Sequence, residues 1–328
     1  MPNPQSTHGG TDSLPDPRYD FSSNANPLGP CPSVLAQVRN ADVTRYPDPL
    51  YCELRERLAA FHQTTPDRIV VGAGASELIQ RMIRCSDGAV LQLAPTFSEY
   101  ALGARLAGRR LISTRSTAAF LRAQAAQPAL GFVCWPNNPT GEVWPVDFVA
   151  GAAAAGPLVV DMAYAPLCGP PLSEGIDAAA GQAYRLYSPN KAFGLTGVRG
   201  AYLITPRIEP RIAEAAPSWV IGREAEAFLA AACEPRARDW LAQGLPQVAR
   251  WRLRLARSLR ELGLEVRESP ATFLMAKVGD ASRIAAQLRS RDVRVRDASS
   301  FGLPQWIRLS AQPMAAQKAL FAALKTAL

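Results

Sequence analysis

Lys191 is one of only four lysines in a chain of 328 residues that carries 36 basic side chains. It stands in the stretch Tyr187–Tyr202, YSPNKAFGLTGVRGAY, after a strand-like run and among Ser, Gly and Thr, with Ser188 before it and Arg199 after it. The other lysines have ordinary settings. Lys318 and Lys325 share the exposed face of a C-terminal helical stretch, and Lys277 ends a strand-like one. A guanidinium does not deprotonate, so arginine cannot replace an amine that must attack a carbonyl carbon and form a Schiff base. That chemistry accounts for a lysine at position 191 in a chain that otherwise prefers arginine.

Three further patches offer complementary groups. In VVGAGASE, residues 70–77, a strand enters a glycine turn and a helix starts at Ala75 or Ser76. Free amides at a helix start bind phosphate, glycines let the backbone approach, and Ser76 adds a hydroxyl. The G-x-G-x-x-G spacing is missing, which disfavours a dinucleotide fold. Asp161 closes the apolar run GPLVVD. A carboxylate at a buried strand tip is costly without a partner; it reads either as a loop cap or as the partner of a protonated ring nitrogen. Tyr164 can bring a phenol to the same pocket. In CWPNNPTGEV, residues 134–143, a strand ends in a rigid turn, and Asn138 can donate to a phenolic oxygen. Phosphate, ring nitrogen, phenolic oxygen and aldehyde would each have a partner. The common cofactor with all four is pyridoxal 5′-phosphate (PLP).

The elements that must position these residues follow from the pattern. RIVVGAG, AVLQLAP, ALGFVC, GPLVVD and AYRLY are short apolar, strand-like runs separated by helical segments such as ASELIQRMIRC. Such alternation predicts an α/β architecture with a mostly parallel sheet covered on both faces, and ligands at the carboxyl ends of its strands. The C-terminal part has a long Arg-rich helical stretch over about 222–263 and then short strands and helices, a smaller α+β domain. The expected division is an N-terminal segment 1–40 joining the small domain, a large cofactor domain 41–210, and a small domain 211–328, with the boundary near the prolines of 205–220.

Composition excludes several classes. Six scattered cysteines and two histidines give neither a C-x-x-C pair nor a metal-binding cluster, so no metal is expected. The formal charge is +8, but its arginines are dispersed, as in RWRLRLARSLREL, without basic runs interleaved with aromatics. A solvated helix face is expected rather than a nucleic-acid surface. No apolar run approaches the roughly 18 residues of a membrane span. The polar, Pro/Gly-rich start is unlike a secretory signal, and the expected location is the cytoplasm.

The ordered set of motifs, from HGG and NANPLG to WIRLSAQ, covers nearly the whole chain. It resembles the fold-type I PLP enzymes, in the branch of histidinol-phosphate aminotransferase and threonine-phosphate decarboxylase. The resemblance implies a three-layer α/β/α large domain, a smaller α+β domain and a homodimer with shared active sites. It implies that Lys191 carries the cofactor as a Schiff base, that Asp161 pairs with the ring nitrogen, and that Asn138 and Tyr164 bond the ring hydroxyl. Phe97, in PTFSEY, would stack on the ring. Ala75, Ser76, Ser188 and Arg199 would hold the phosphate, with Tyr46 of RYPDP reaching the neighbouring subunit's phosphate. Arg308 of WIRLS would take a substrate carboxylate, Arg296 a second anionic group, and Asn26 would lie in a segment closing over the substrate. The sequence departs from the family at Met162, where an acidic residue is usual, at Ala25 of NANPLG, and in GLTGVRGAY.

The activity so implied is transamination of an amino acid or phosphorylated amine, with Lys191 moving a proton. The alternative is decarboxylation of threonine phosphate in cobalamin synthesis, which would make His8 a substrate contact. A non-catalytic PLP-binding module is the remote third reading.

Overall fold

The structure, a computed structural model, describes residues 9–328. The chain order is β1 (Tyr19–Asp20), α1 (Pro32–Arg39), α2 (Cys52–Phe61), β2 (Ile69–Gly72), α3 (Ala75–Cys85), β3 (Ala89–Leu93), α4 (Ser98–Leu106), β4 (Leu111–Thr114), α5 (Thr117–Ala126) and β5 (Ala129–Cys134). Next come α6 (Val146–Ala155), β6 (Leu158–Asp161), α7 (Pro170–Ala179), β7 (Tyr184–Tyr187), β8 (Ala201–Ile204), α8 (Pro210–Glu214), α9 (Arg223–Ala232) and α10 (Pro235–Glu261). The last elements are β9 (Val266–Arg267), β10 (Phe273–Lys277), α11 (Ala281–Arg289), β11 (Val293–Arg294), β12 (Arg296–Asp297), β13 (Trp306–Ser310) and α12 (Met314–Ala327).

The main sheet has the order β2-β8-β7-β6-β5-β3-β4. Its β3–β4, β3–β5, β5–β6 and β6–β7 pairs are parallel, whereas β8 runs antiparallel to both β2 and β7. Every residue of β2, β3, β5, β6, β7 and β8 is buried, and only the edge strand β4 alternates exposed with half-buried positions. Strands apolar on both faces need cover on both, and the intervening helices supply it. The second sheet, β12-β13-β10-β9, is antiparallel. Among the described residues, no helix is long and apolar enough to cross a membrane.

The two apolar cores divide farther along the chain than the expected boundary at 211. Phe228 and Leu229 of α9 and Leu241 of α10 pack into the core of the main sheet, while Leu255 and Leu259 of the same α10 pack into the smaller core. One continuous helix thus serves both cores, and a composition shift cannot mark a division inside a helix. The N-terminal segment is shared as well. Phe21 lies in the small core and β1 pairs with β11, but Cys31 and Val34 belong to the large one.

Candidate active site

The unusual residues collect where the strands of the main sheet end. Asp161 is the last residue of β6, where chain polarity delivers it to the carboxyl edge. It is 2% exposed. Tyr100 Oη donates to its Oδ2 at 2.9 Å and the Ala163 amide to its Oδ1 at 3.1 Å. Burial pushes the Asp161 carboxyl up, opposed first by the Lys191 charge and then by these hydrogen bonds. Lys191 lies in the loop between β7 and β8, its Nζ 5.3 Å from the Tyr164 ring centre. Burial lowers its ammonium pKa; Asp161 opposes this, and the nearby Arg199 and Arg308 act in the same direction as burial.

The glycine turn after β2 is built for close approach. Gly74 has φ +97°, and a Cβ there would stand 2.5 Å from Arg199 Nη2. The turn therefore presents the amides of Ala75 and Ser76 beside the exposed Arg199. It is braced from behind. Glu77 accepts from the Ala73 amide at 3.1 Å and pairs with fully buried Arg81 at 2.6 Å, and Arg81 Nη2 also donates to Val71 O at 3.1 Å. Ser188 directly follows β7 and is buried.

On the other side of the lysine, Asn137 ties two strand ends together. It accepts from Thr96 Oγ1 and donates to Pro95 O and to Thr140 Oγ1, each at 2.8 Å. The neighbouring Asn138 accepts through its Oδ1 from Arg308 Nη1, so its amide nitrogen remains to donate elsewhere. Tyr164 is buried, with its Oη 3.4 Å from the Asn24 amide and its ring edge-on to Phe273. Burial raises its phenol to about 12, with Arg308 pulling the other way. Phe97 precedes α4 and meets the Tyr100 ring edge-on at 5.8 Å.

Arg308 on β13 and Arg296 on β12 are directly opposed in the antiparallel ladder. Both are buried. Their hydrogen-bond partners among the described residues are neutral oxygens: Ser22 O and Asn138 Oδ1 for Arg308, Ser300 Oγ for Arg296. Burial and the neighbouring Arg308 charge bring Arg296 down to about 10. Gly9 packs against Ser22 and Arg308, since a Cβ there would meet Ser22 O at 2.3 Å and Arg308 Nη2 at 3.2 Å.

One expectation changes. Asn26 does not line the site as a free substrate contact, because its Nδ2 donates to Ala192 O at 3.0 Å and its Oδ1 accepts from the Leu28 amide at 3.1 Å. With the Asn26 amide also donating to Lys191 O at 2.8 Å, it is a clamp on the lysine loop. Tyr46, expected to reach a neighbouring subunit, is 76% exposed and stacks on Trp219 at 4.4 Å. His8 lies outside the described residues. Sequence reasoning missed Tyr100, Asn24 and Ser22. Tyr100 lies within the quoted PTFSEY, but nothing in its spacing reveals a bond to a residue 61 positions on.

A buried carboxylate, a half-buried amine, a helix start beside an arginine and two guanidiniums without a carboxylate hydrogen-bond partner among the described residues make up a site suited to a phosphorylated, aldehyde-bearing cofactor. The chain belongs to the aminotransferase class I and II family, whose model matches residues 17–324. It is a PLP-dependent aminotransferase. It is 31% identical to a histidinol-phosphate aminotransferase of Ruegeria pomeroyi, over 93% of this chain and 90% of that one. A similar relative, from Nitratidesulfovibrio vulgaris, is 32% identical over 88% and 83% of the two chains. The crystal structure of histidinol-phosphate aminotransferase from Sinorhizobium meliloti in complex with PLP superposes with a TM-score of 0.80, at 25% identity, covering 95% of this chain and 91% of that one.

The residues present fit that cofactor. Asp161 is a buried carboxylate whose hydrogen bonds, among the described residues, come from a phenol and an amide, which suits a protonated ring nitrogen. The Gly74–Arg199 cradle has the amides and charge that a phosphate needs.

Proposed function

We propose that this aminotransferase acts on an amine bearing a phosphate or a second anionic group, of the histidinol-phosphate type. The observation that carries the reading is the opposed pair Arg296 and Arg308, buried on adjacent strands without a carboxylate hydrogen-bond partner among the described residues. Like charges directly opposite in a ladder destabilise it, and a dianion between them removes that penalty. A guanidinium fork matches phosphate or carboxylate oxygens in pairs.

PLP, when bound, supplies an electron-withdrawing ring that spreads the negative charge left on the substrate's Cα. The chain's own residues do the rest. Arg199, Ser188, Ser76 and the Ala75 amide hold the phosphate. Asp161 keeps the proton on the ring nitrogen, steadied by Tyr100. Asn138 and Tyr164 hold the ring hydroxyl, and Phe97 covers the ring face. Lys191, its basicity lowered by burial, would take the proton from the substrate's Cα and hold it as general base. Arg308 and Arg296 orient the substrate so that the Cα–H bond is the one presented to Lys191.

The same reading makes the enzyme a cytoplasmic homodimer in which Tyr46 reaches the partner subunit's cofactor phosphate. The exposed Tyr46–Trp219 stack supports it, since two apolar rings stacked in solvent are a natural contact for a second copy.

The test is a single-turnover experiment on PLP-loaded protein. Histidinol phosphate and glutamate are each expected to change the cofactor's absorbance by donating their amino group, without CO₂. Release of CO₂ from O-phosphothreonine, with no amino-group transfer from either donor, would overturn the reading in favour of a decarboxylase. Loss of turnover in Arg296→Gln, with the cofactor spectrum unchanged, is expected on the same grounds.

A further inference from the structure

Loop 188–200 carries Ser188, Lys191 and Arg199, and the geometry of its base decides where all three point. Tyr187 and Tyr202 are paired at the end of the β7–β8 ladder, just before the chain leaves the sheet for this loop. Their rings stack with centres 5.2 Å apart and planes at 16°. His62, which follows α2, lies with Nε2 2.8 Å from Tyr202 Oη and its ring 4.6 Å from that of Tyr187. On the other side, Tyr187 Oη donates to Asp177 Oδ1 of α7, which also accepts from Arg185 Nη1 at 2.7 Å.

Two helices, α2 and α7, therefore grip the base of the lysine loop through polar groups. Packing alone does not require this, because a phenylalanine pair would fill the same space and need no partners. Each buried hydroxyl here must be satisfied or it costs stability. Each is satisfied, Tyr202 by His62 and Tyr187 by Asp177, and the stacked rings join the two bonds. Tyr187 immediately precedes Ser188, and Tyr202 lies three residues beyond Arg199. The Gly72↔Ala201 pair continues the ladder into β2, whose turn leads to Ser76 at the start of α3. A shift at the Tyr187–Tyr202 pair thus moves Ser188 and Arg199 relative to the helix start that faces them.

We propose that His62, Tyr202, Tyr187 and Asp177 form a positioning network for the cofactor phosphate: they fix the base of the 188–200 loop and so the spacing of Ser188 and Arg199 around the phosphate. The proposal rests on the cofactor and is independent of which amine is the substrate. His62 and Tyr202 are positioning residues and touch neither cofactor nor substrate.

The test measures PLP affinity by equilibrium dialysis with no substrate present, alongside the pH midpoint of the bound cofactor's visible absorbance, which follows Lys191. Tyr202→Phe removes one oxygen and keeps the stack; His62→Leu removes the partner of that oxygen. Each is expected to weaken PLP binding about tenfold, the scale of one lost buried hydrogen bond, and to move the absorbance midpoint. His62→Gln, whose amide can still meet the Tyr202 hydroxyl, is expected to stay near wild type in both. Wild-type affinity and midpoint in folded Tyr202→Phe would overturn the proposal. So would His62→Gln as weak as His62→Leu with an equal fall in the melting temperature of the cofactor-free protein, which would reduce the network to packing. If His62→Leu does not fold, Tyr202→Phe decides alone.

Discussion

The brace behind the glycine turn gives a sharp asymmetry. Arg81 is wholly buried, and Glu77, with 24% of its side chain exposed, is its only carboxylate partner among the described residues, at 2.6 Å. Remove Glu77 by substitution to Ala and Arg81 keeps a single carbonyl, Val71 O, while its Nη1 already lacks a partner. An uncompensated buried charge costs about 3–5 kcal/mol, and the Ala73 amide loses its acceptor as well. Replace Arg81 by Met instead and the volume is roughly kept, while Glu77 turns to water; the cost is about 1–2 kcal/mol. Adding Arg81→Met to Glu77→Ala removes the stranded charge, so the double variant should be about 2 kcal/mol more stable than Glu77→Ala alone. Urea unfolding of the cofactor-free protein, followed by fluorescence, measures all four corners of this cycle. Equal costs for the two single changes, or costs that simply add, would refute the assignment of the pair as a desolvated brace.

Other outcomes follow from the same geometry. Gly74→Ala places a methyl against the Arg199 guanidinium in a φ +97° conformation, and PLP affinity measured by dialysis should fall at least about tenfold. Tyr100→Phe removes the Asp161 Oδ2 partner, so the single-turnover rate should drop about tenfold while the substrate concentration for half-saturation holds. Burial lowers His62 from 6.5 to about 4. The unfolded chain therefore binds this proton first, so the contribution is present above pH 6.5 and is lost as pH falls toward 4. At pH 5 that loss is about 2 kcal/mol. Asp161 and Glu142, raised by burial, act in the opposite sense. The check is therefore the difference between wild type and His62→Gln in urea midpoints across pH 7 to 5, and a flat difference would count against it.

Much of this site was legible because strand polarity converts linear order into place. A run such as GPLVVD must end at the carboxyl edge of a parallel sheet, so Asp161 and the turns after β2, β5 and β7 could be gathered without coordinates. The rare lysine stood out because guanidinium cannot do its chemistry. What stayed hidden was pairing over long separations. Asn24 meets Tyr164 across 140 positions and Arg308 meets Asn138 across 170, and no periodicity encodes either contact. Asn26 was visible as a residue but not as a clamp, since its acceptor is a backbone carbonyl any residue would offer. His62 looked like an unremarkable polar residue near a helix end because its partners come from β7, β8 and α7.

The place of β8 in the sheet has a bearing on how the enzyme is made. Strand β2 is joined to the main sheet by β8 alone, although some 130 residues of synthesis separate the two. Until Ala201–Ile204 has left the ribosome, the glycine turn after β2 has no lattice to sit on, and Arg199 cannot face it. A nascent chain ending before β8 holds Asp161 and Lys191 but has no assembled phosphate cradle. Assembly of the phosphate cradle therefore depends on a single four-residue strand.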